Sequence, residues 1–365
     1  MQIFNNIAFG GGKNRQSNIE ALRLLSMLMV LNLHSFWGYY HGSGIGQFFD
    51  FFRNSTSICA VNVFLIISGF YGIKWKFKSL YSLVFQCLFY SFGVYLISVA
   101  FGIVEYNTNE FLRNIACLYD YWYFITFYLL LYFLSPLLNA FVDNSSVKNL
   151  LIYVIVLYIC ENFICRGFAF LNYILMYLIG RWLNKSNSVN NALYNPKKLF
   201  WAITVAITVM SYALFLYTPI NNGEKMNDFL LGYSYNSPLI IIQAVFLFLI
   251  FARMSFNNKY INWCASSCLS IFLIHMHPTI KKIGYYTITE SFYELPAWQH
   301  ILYLTCLITI VFFGSILIDK IRMVISDLLY KTLILIINML PQKLRNTDYY
   351  IPEYLQKDWT NIDVK

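Results

Sequence analysis

The sequence predicts an all-α fold: a polytopic membrane helix bundle of about ten transmembrane helices with both termini cytoplasmic. Three observations predict it. Of 365 residues, 59% are hydrophobic and 12% charged, with a mean hydropathy of +0.55, whereas soluble domains carry about 25% charged residues. The apolar residues form continuous runs long enough to cross a hydrocarbon core, unlike the alternation of barrel strands. Lysine and arginine collect in every second connection. So apolar a composition sets aside a soluble enzyme, a nucleic-acid binder and a disordered scaffold. The net charge of +9 is read as membrane topology, with no nucleic-acid partner.

Residues 1–18 are too polar for a signal-peptide core and are expected to form a cytoplasmic segment. Ten runs follow, at about 19–37, 57–73, 80–103, 121–141, 149–165, 167–183, 199–217, 237–254, 262–277 and 299–318. Each has the length a bilayer requires. The fifth and sixth are joined by a short connection holding Glu161 and Arg166. Residues 19–318 form the transmembrane domain, and 319–365 a cytoplasmic amphipathic helix and tail. Within that tail, 321–340 suit either an interfacial helix or an eleventh span, and 341–365 are polar and expected to be loosely ordered.

Orientation follows from the loops. With the N-terminus inside, inner connections before the tail hold twelve lysines and arginines, among them Lys74, Lys76, Lys78, Arg181 and Arg253. Outer loops hold six: Arg53, Arg113, Arg166, Lys225, Lys281 and Lys282. The excess of positive charge belongs on the cytoplasmic side. The chain is expected in the cytoplasmic membrane as a multi-pass protein. Cys59, Cys87, Cys117, Cys160, Cys165, Cys264, Cys268 and Cys306 show neither metal-finger nor disulfide-framework spacing and read as small hydrophobes. No metal is implied.

Ionisable residues inside a membrane are costly and mark function. The first span carries Glu20, Arg23 and His34. Arg23 and His34 are eleven positions apart, which returns them to within about 20° of one helical face, about 16 Å apart along the axis. One face thus carries a cation at its inner end and an imidazole at its outer end. Taken singly, Arg23 reads equally as an interfacial arginine paired with Glu20, and His34 as a histidine bonded to a backbone carbonyl.

Arg23, ten residues and then His34 resemble the Arg-x10-His motif of the membrane acyltransferase 3 family. The flank Asn18-Ile19-Glu20-Ala21-Leu22-Arg23 agrees, with glutamate where aspartate is commoner. Further stretches are similar in order: Asn62 to Phe70 with Ser68-Gly69-Phe70, Trp122-Tyr123-Phe124 continuing to Ser135-Pro136-Leu137-Leu138-Asn139, Tyr177 to Arg181, and Ser270 to His275. The resemblance covers roughly 14–318. It implies transfer of an acyl group, most often acetyl from acetyl-CoA, to extracytoplasmic acceptors such as surface polysaccharide or lipid-linked glycan. Acyl-CoA is then a co-substrate, with no permanently bound cofactor.

Roles follow as expectations. Arg23, with Arg181 and Lys74, would hold the phosphates of CoA, since the planar guanidinium gives paired hydrogen bonds. His34 would be the general base on a sugar hydroxyl. Asn62, Trp122 and Tyr123, placed by depth alone, are candidate oxyanion donors. His275, expected at the depth of His34, could hold its tautomer, meet acceptor or end its helix. His277 faces elsewhere, and His41 and His300 read as loop and interface residues. Ser68 and Gly69 support close helix packing or leave room for the acyl chain. A polysaccharide flippase or exporter without covalent chemistry, and a polymerase, are alternatives from other classes.

Overall fold

The computed structural model describes residues 16–35, 44–116, 122–164, 169–190, 195–217 and 235–339. Among them every regular element is helical, as expected where no water is present to satisfy an open sheet edge. The segment before residue 16, His41, Cys117, Cys165, Arg166, Lys225 and the tail beyond 339 lie outside the described residues.

Thirteen helices organise the description: α1 (Ser17–His34), α2 (Gly44–Ser57), α3 (Ala60–Tyr71), α4 (Phe77–Ala100), α5 (Thr108–Ala116), α6 (Tyr123–Asn144), α7 (Val147–Ile159), α8 (Phe170–Lys185), α9 (Pro196–Tyr217), α10 (Pro238–Ala252), α11 (Lys259–Ala265), α12 (Cys268–His275) and α13 (Ala297–Met339). Among the described residues, six helical stretches are long and apolar enough to cross a membrane: α2 with α3, α4, α6, α7 with the π-helical turn after it, α9, and α13 over Ala297–Leu333. They correspond to six of the ten expected spans. The other four are helical but different in kind. α1 carries Asn18, Glu20, Arg23, Asn32 and His34, and α8 and α10 are short, at 16 and 15 residues.

The expected ninth span is broken rather than continuous. α11 ends at Ala265 and α12 starts at Cys268. Lys320 stabilises the break: its Nζ donates to the Trp263 carbonyl at 2.6 Å and to Ser266 Oγ at 2.7 Å. The helix does not end at 319: α13 runs unbroken for 43 residues, so 321–339 continue the tenth helix. Asp319 and Arg322 lie inside the bundle, where Arg322 Nε donates to Asp319 Oδ1 at 2.7 Å and Tyr90 donates to the same oxygen at 2.8 Å. Glu161 sits buried in the π-helical turn Cys160–Ile164, not in an open connection.

The layers follow from the side chains. α1, α3, α8, α10 and α12 form the centre, with Leu22, Leu31, Leu65, Ile66, Leu175, Tyr177, Phe248 and Leu273 fully buried. α4, α6, α7, α9 and α13 surround them and keep Ile97, Phe133, Leu137, Ile155, Val205 and Ile310 exposed. Such apolar outer faces suit lipid. The polar residues of α1 and the short lengths of α8, α10 and α12 are tolerated at the centre because protein rather than hydrocarbon surrounds them.

Two local features place the site. Gly69 on α3 and Gly180 on α8 meet backbone to backbone: a Cβ on Gly69 would press into the Tyr177 carbonyl, and one on Gly180 into that of Ile66. Small residues permit such close crossing. Gly72, at φ +70°, then ends α3 in the left-handed region that glycine adopts without strain. Beyond it the chain is clamped to α6 and α8. Pro136 has no N–H to offer the carbonyl of Tyr132 four residues earlier, and Trp75 Nε1 donates to that carbonyl instead, at 2.7 Å. Asn139 Nδ2 donates to the Ile73 carbonyl at 2.9 Å, while the Tyr177 hydroxyl accepts from Ile73 N at 3.0 Å and donates to Asn139 Oδ1 at 2.7 Å.

Candidate active site

A cavity of about 610 Å³ runs along one face of α1. That face contributes Gln16, Ile19, Glu20, Arg23, Met27, Val30 and His34 at three- and four-residue steps, and α3, α6 and α12 supply other walls. From Gln16 to His34 is eighteen residues, or about 27 Å of helix, close to the thickness of a hydrocarbon core, about 30 Å. The shared facing of Arg23 and His34 therefore becomes a shared cavity.

The Arg23 end is polar. Arg23 Nη1 donates to Glu20 Oε2 at 3.2 Å, and the guanidinium remains about a third exposed. Gln16, Lys74 and Ser79 line the same end. Lys74 is presented there by the clamped turn. Tyr71 donates its hydroxyl to Gln16 Oε1, which ties α3 to the start of α1. Cys268, at the first residue of α12, donates its thiol to the Arg23 carbonyl at 3.4 Å and joins the broken helix to α1 at this depth. The middle is apolar, with Met27, Val30, Phe64, Ile67 and Phe272.

At the other end stand two histidines. His34 Nδ1 lies 2.8 Å from His275 Nε2, and His275 Nδ1 meets the Ile271 carbonyl. A carbonyl only accepts, so His275 Nδ1 carries a proton. In the neutral ring, Nε2 then accepts from His34 Nδ1–H, and the lone pair of His34 Nε2 is left free to take a proton. Phe272 fixes the pair from the side, its ring 6.2 Å from His34 and 6.0 Å from His275. Tyr285 packs against His275, 5.4 Å away, with its hydroxyl donating to the Leu31 carbonyl at 2.8 Å.

The other expected site residues divide. Tyr123 lines the cavity and is half-exposed; Ser68 lines it too, bonded to Tyr128 at 3.3 Å. Gly69 serves the α3–α8 crossing. Asn62 is fully buried off the cavity, its Nδ2 donating to the Tyr235 carbonyl at 2.6 Å and its Oδ1 accepting from Asn172. It holds Tyr235, which does line the cavity. Trp122 is buried with its ring against His277, 6.3 Å away. Arg181 lies behind the Gly72 turn, paired with Asp143 at 3.0 Å.

Sequence reasoning missed several residues. Tyr128, Tyr235 and Phe272 were hidden among 63 phenylalanines and tyrosines. Lys281 was counted as an ordinary outer-loop charge, yet its charge acts on both His34 and His275. Partial burial lowers its ammonium to about 8. His300 is a correction: it is not an interface residue but fully buried beside Asp50. Arg53, expected in an outer loop, is likewise buried.

The model of an acyltransferase domain, acyltransferase family 3, matches residues 16–320. The chain belongs to that family, and it is a membrane acyltransferase. Neither a curated protein nor a solved structure matches it. Membership favours acyl transfer over the exporter and polymerase readings.

Proposed function

We propose that this enzyme, with its N-terminus inside and ten spans, moves a short acyl group, acetyl above all, from cytoplasmic acyl-CoA to a hydroxyl of an extracytoplasmic glycan. One observation carries the reading: a single cavity has a guanidinium at one end and, about 16 Å along the same helix, an imidazole whose free nitrogen is set by its partner.

The donor would enter at the Arg23 end. Its phosphates meet Arg23 and Lys74, and the amide-rich pantetheine arm lies along the apolar middle with the thioester near His34. The acceptor hydroxyl approaches from the opposite end. His34 Nε2 takes the hydroxyl proton as the oxygen attacks the thioester carbon. The carbonyl π electrons move to oxygen, giving a tetrahedral oxyanion for which Tyr123 is the candidate O–H donor. Collapse forms the ester and breaks the C–S bond. The thiolate takes the proton from His34, so the enzyme returns to its starting state with one ester and one free thiol made.

His275 acts through His34. Substituting His275→Phe keeps a ring in place but removes the acceptor for His34 Nδ1–H, so the tautomer is no longer fixed. The expected result is a fall in kcat of about 10- to 100-fold, the size seen when partners of working imidazoles are removed, with KM for acyl-CoA little changed. An unaltered kcat would remove His275 from the mechanism.

Arg23→Ala is expected to act at the opposite end. It removes a charge-assisted contact to phosphate, of about 1.5–3 kcal/mol, so the KM for acetyl-CoA should rise about tenfold or more. Since the phosphates do not change during transfer, kcat should move less. The assay is thiol release by the purified protein in lipid, with and without surface glycan. No turnover of any acyl-CoA under either condition would overturn the reading.

A further inference from the structure

The charged cluster behind the last turn of α1 takes part in no step above. Asp50 and Arg53 sit three residues apart on α2, a spacing that turns both side chains the same way. Arg53 Nε and Nη2 donate to Asp50 Oδ1 at 3.3 and 3.1 Å, and His300 Nε2 lies 3.3 Å from that oxygen. Asp50 and His300 are fully buried and Arg53 nearly so. Burying an ion pair is costly unless its hydrogen bonds are met, and the guanidinium's own are met in part on α1. Its Nη1 donates to the Asn32 carbonyl at 2.8 Å and to Ser35 Oγ at 2.6 Å. Its Nη2 donates to the Tyr293 hydroxyl at 3.2 Å, and that hydroxyl donates to the Ser35 carbonyl at 3.0 Å.

The final carbonyls of a helix have no partner within it, and a cation there is favoured by the helix dipole. His34 stands between Asn32 and Ser35, the two residues that Arg53 grips. We infer that Arg53 is a positioning residue: it fixes the last turn of α1 and thereby the 2.8 Å His34–His275 hydrogen bond, which decides the nitrogen that faces the cavity. This rests on the proposed role of His34. A hydrogen bond between two rings is lost with a shift of an ångström, whereas Arg23 lies eleven residues away on the same helix and keeps its place. The consequence is an effect on kcat rather than on donor binding.

The test uses the full chain in lipid with Arg53→Lys, Tyr293→Phe and, in parallel, His34→Ala. Lysine keeps the charge but loses the fork that spans Asp50, Asn32 and Ser35. Phenylalanine keeps the ion pair and removes one oxygen. Two quantities are read: thiol release from acetyl-CoA, and the ¹⁵N shifts of the histidine rings, assigned by replacing the five histidines one at a time. For Arg53→Lys the expected fall in kcat is about 10- to 100-fold, as for a misplacement of about 1 Å, with KM within about twofold. Tyr293→Phe should show a smaller fall of the same kind. In both, His34 changes from one tautomer to a mixture. If kcat per folded molecule and the His34 signature are unchanged in both variants, the inference is overturned. Should Arg53→Lys not fold, Tyr293→Phe decides alone. Full turnover in His34→Ala would instead remove the base assignment, while the ring shifts still report whether Arg53 sets the histidine pair.

Discussion

Replacing His34 by alanine lowers thiol release from acyl-CoA by about 10²- to 10⁴-fold, the range general-base catalysis supplies, while the KM for donor stays within about twofold. The split is the informative part. His34 and Arg23 share one cavity but lie at opposite ends of it, so loss of the imidazole leaves the phosphate contacts intact. His34→Gln keeps a polar group of similar reach without a basic nitrogen and should be as inactive as the alanine variant. The check is single-turnover thiol release together with donor binding on the same preparations. Undiminished turnover in both variants would sink the base assignment, and an equal loss of binding and turnover would point to a collapsed cavity instead.

The second large effect concerns folding. Gly69→Ala and Gly180→Ala each place a methyl group against backbone, the Tyr177 carbonyl for the first and the Ile66 carbonyl with Phe70 N for the second. Backbone atoms cannot swing aside as a side chain can. α3 and α8 must move apart, which empties contacts around Leu65, Ile66, Leu175 and Tyr177, all fully buried. Overpacking of this kind costs about 1–3 kcal/mol or more. Both variants should melt well below the wild type in lipid or detergent, and the Ile73 turn that Tyr177 and Asn139 hold should loosen with them. Gly93→Ala is the control, because nothing lies within 4 Å of the added carbon. If the three variants melted alike, the close crossing would not be what holds these helices.

Much of this was legible in the sequence because membrane helices are governed by few rules. Apolar run length gave the long outer helices, and 3.6-residue periodicity put Arg23 and His34 on one face. The misses have physical causes. The break between α11 and α12 depends on Lys320 bonding to Trp263 and Ser266, a contact 54 residues distant that no local pattern announces. Asp319 and Arg322 read as the start of a cytoplasmic amphipathic helix and tail, since a charge alone does not reveal a buried partner such as Tyr90. Asn62 and Trp122 were assigned by depth, and depth says nothing about which way a side chain turns around its helix. His275 was noticed at the right depth, but its selection of the His34 tautomer required the Ile271 carbonyl to be seen. Pro136 is the converse case: the Ser-Pro-Leu-Leu-Asn segment marked the family, and only the Trp75 bond shows what the proline releases.

α13 is a rod of 43 residues, about 64 Å long, roughly twice a hydrocarbon core of about 30 Å. It is pinned to the bundle by His300 against Asp50 and, nineteen residues on, by Asp319 and Arg322 against Tyr90. Those pins are about 28 Å apart along the helix. They act as a ruler: the bundle between them has a fixed height and cannot stretch to suit the surrounding lipid. Bilayers of other chain lengths must thin or thicken around it, at fractions of a kcal/mol per ångström. The enzyme should therefore gather in lipid of matching thickness, so that chain length in the membrane bears on where it resides.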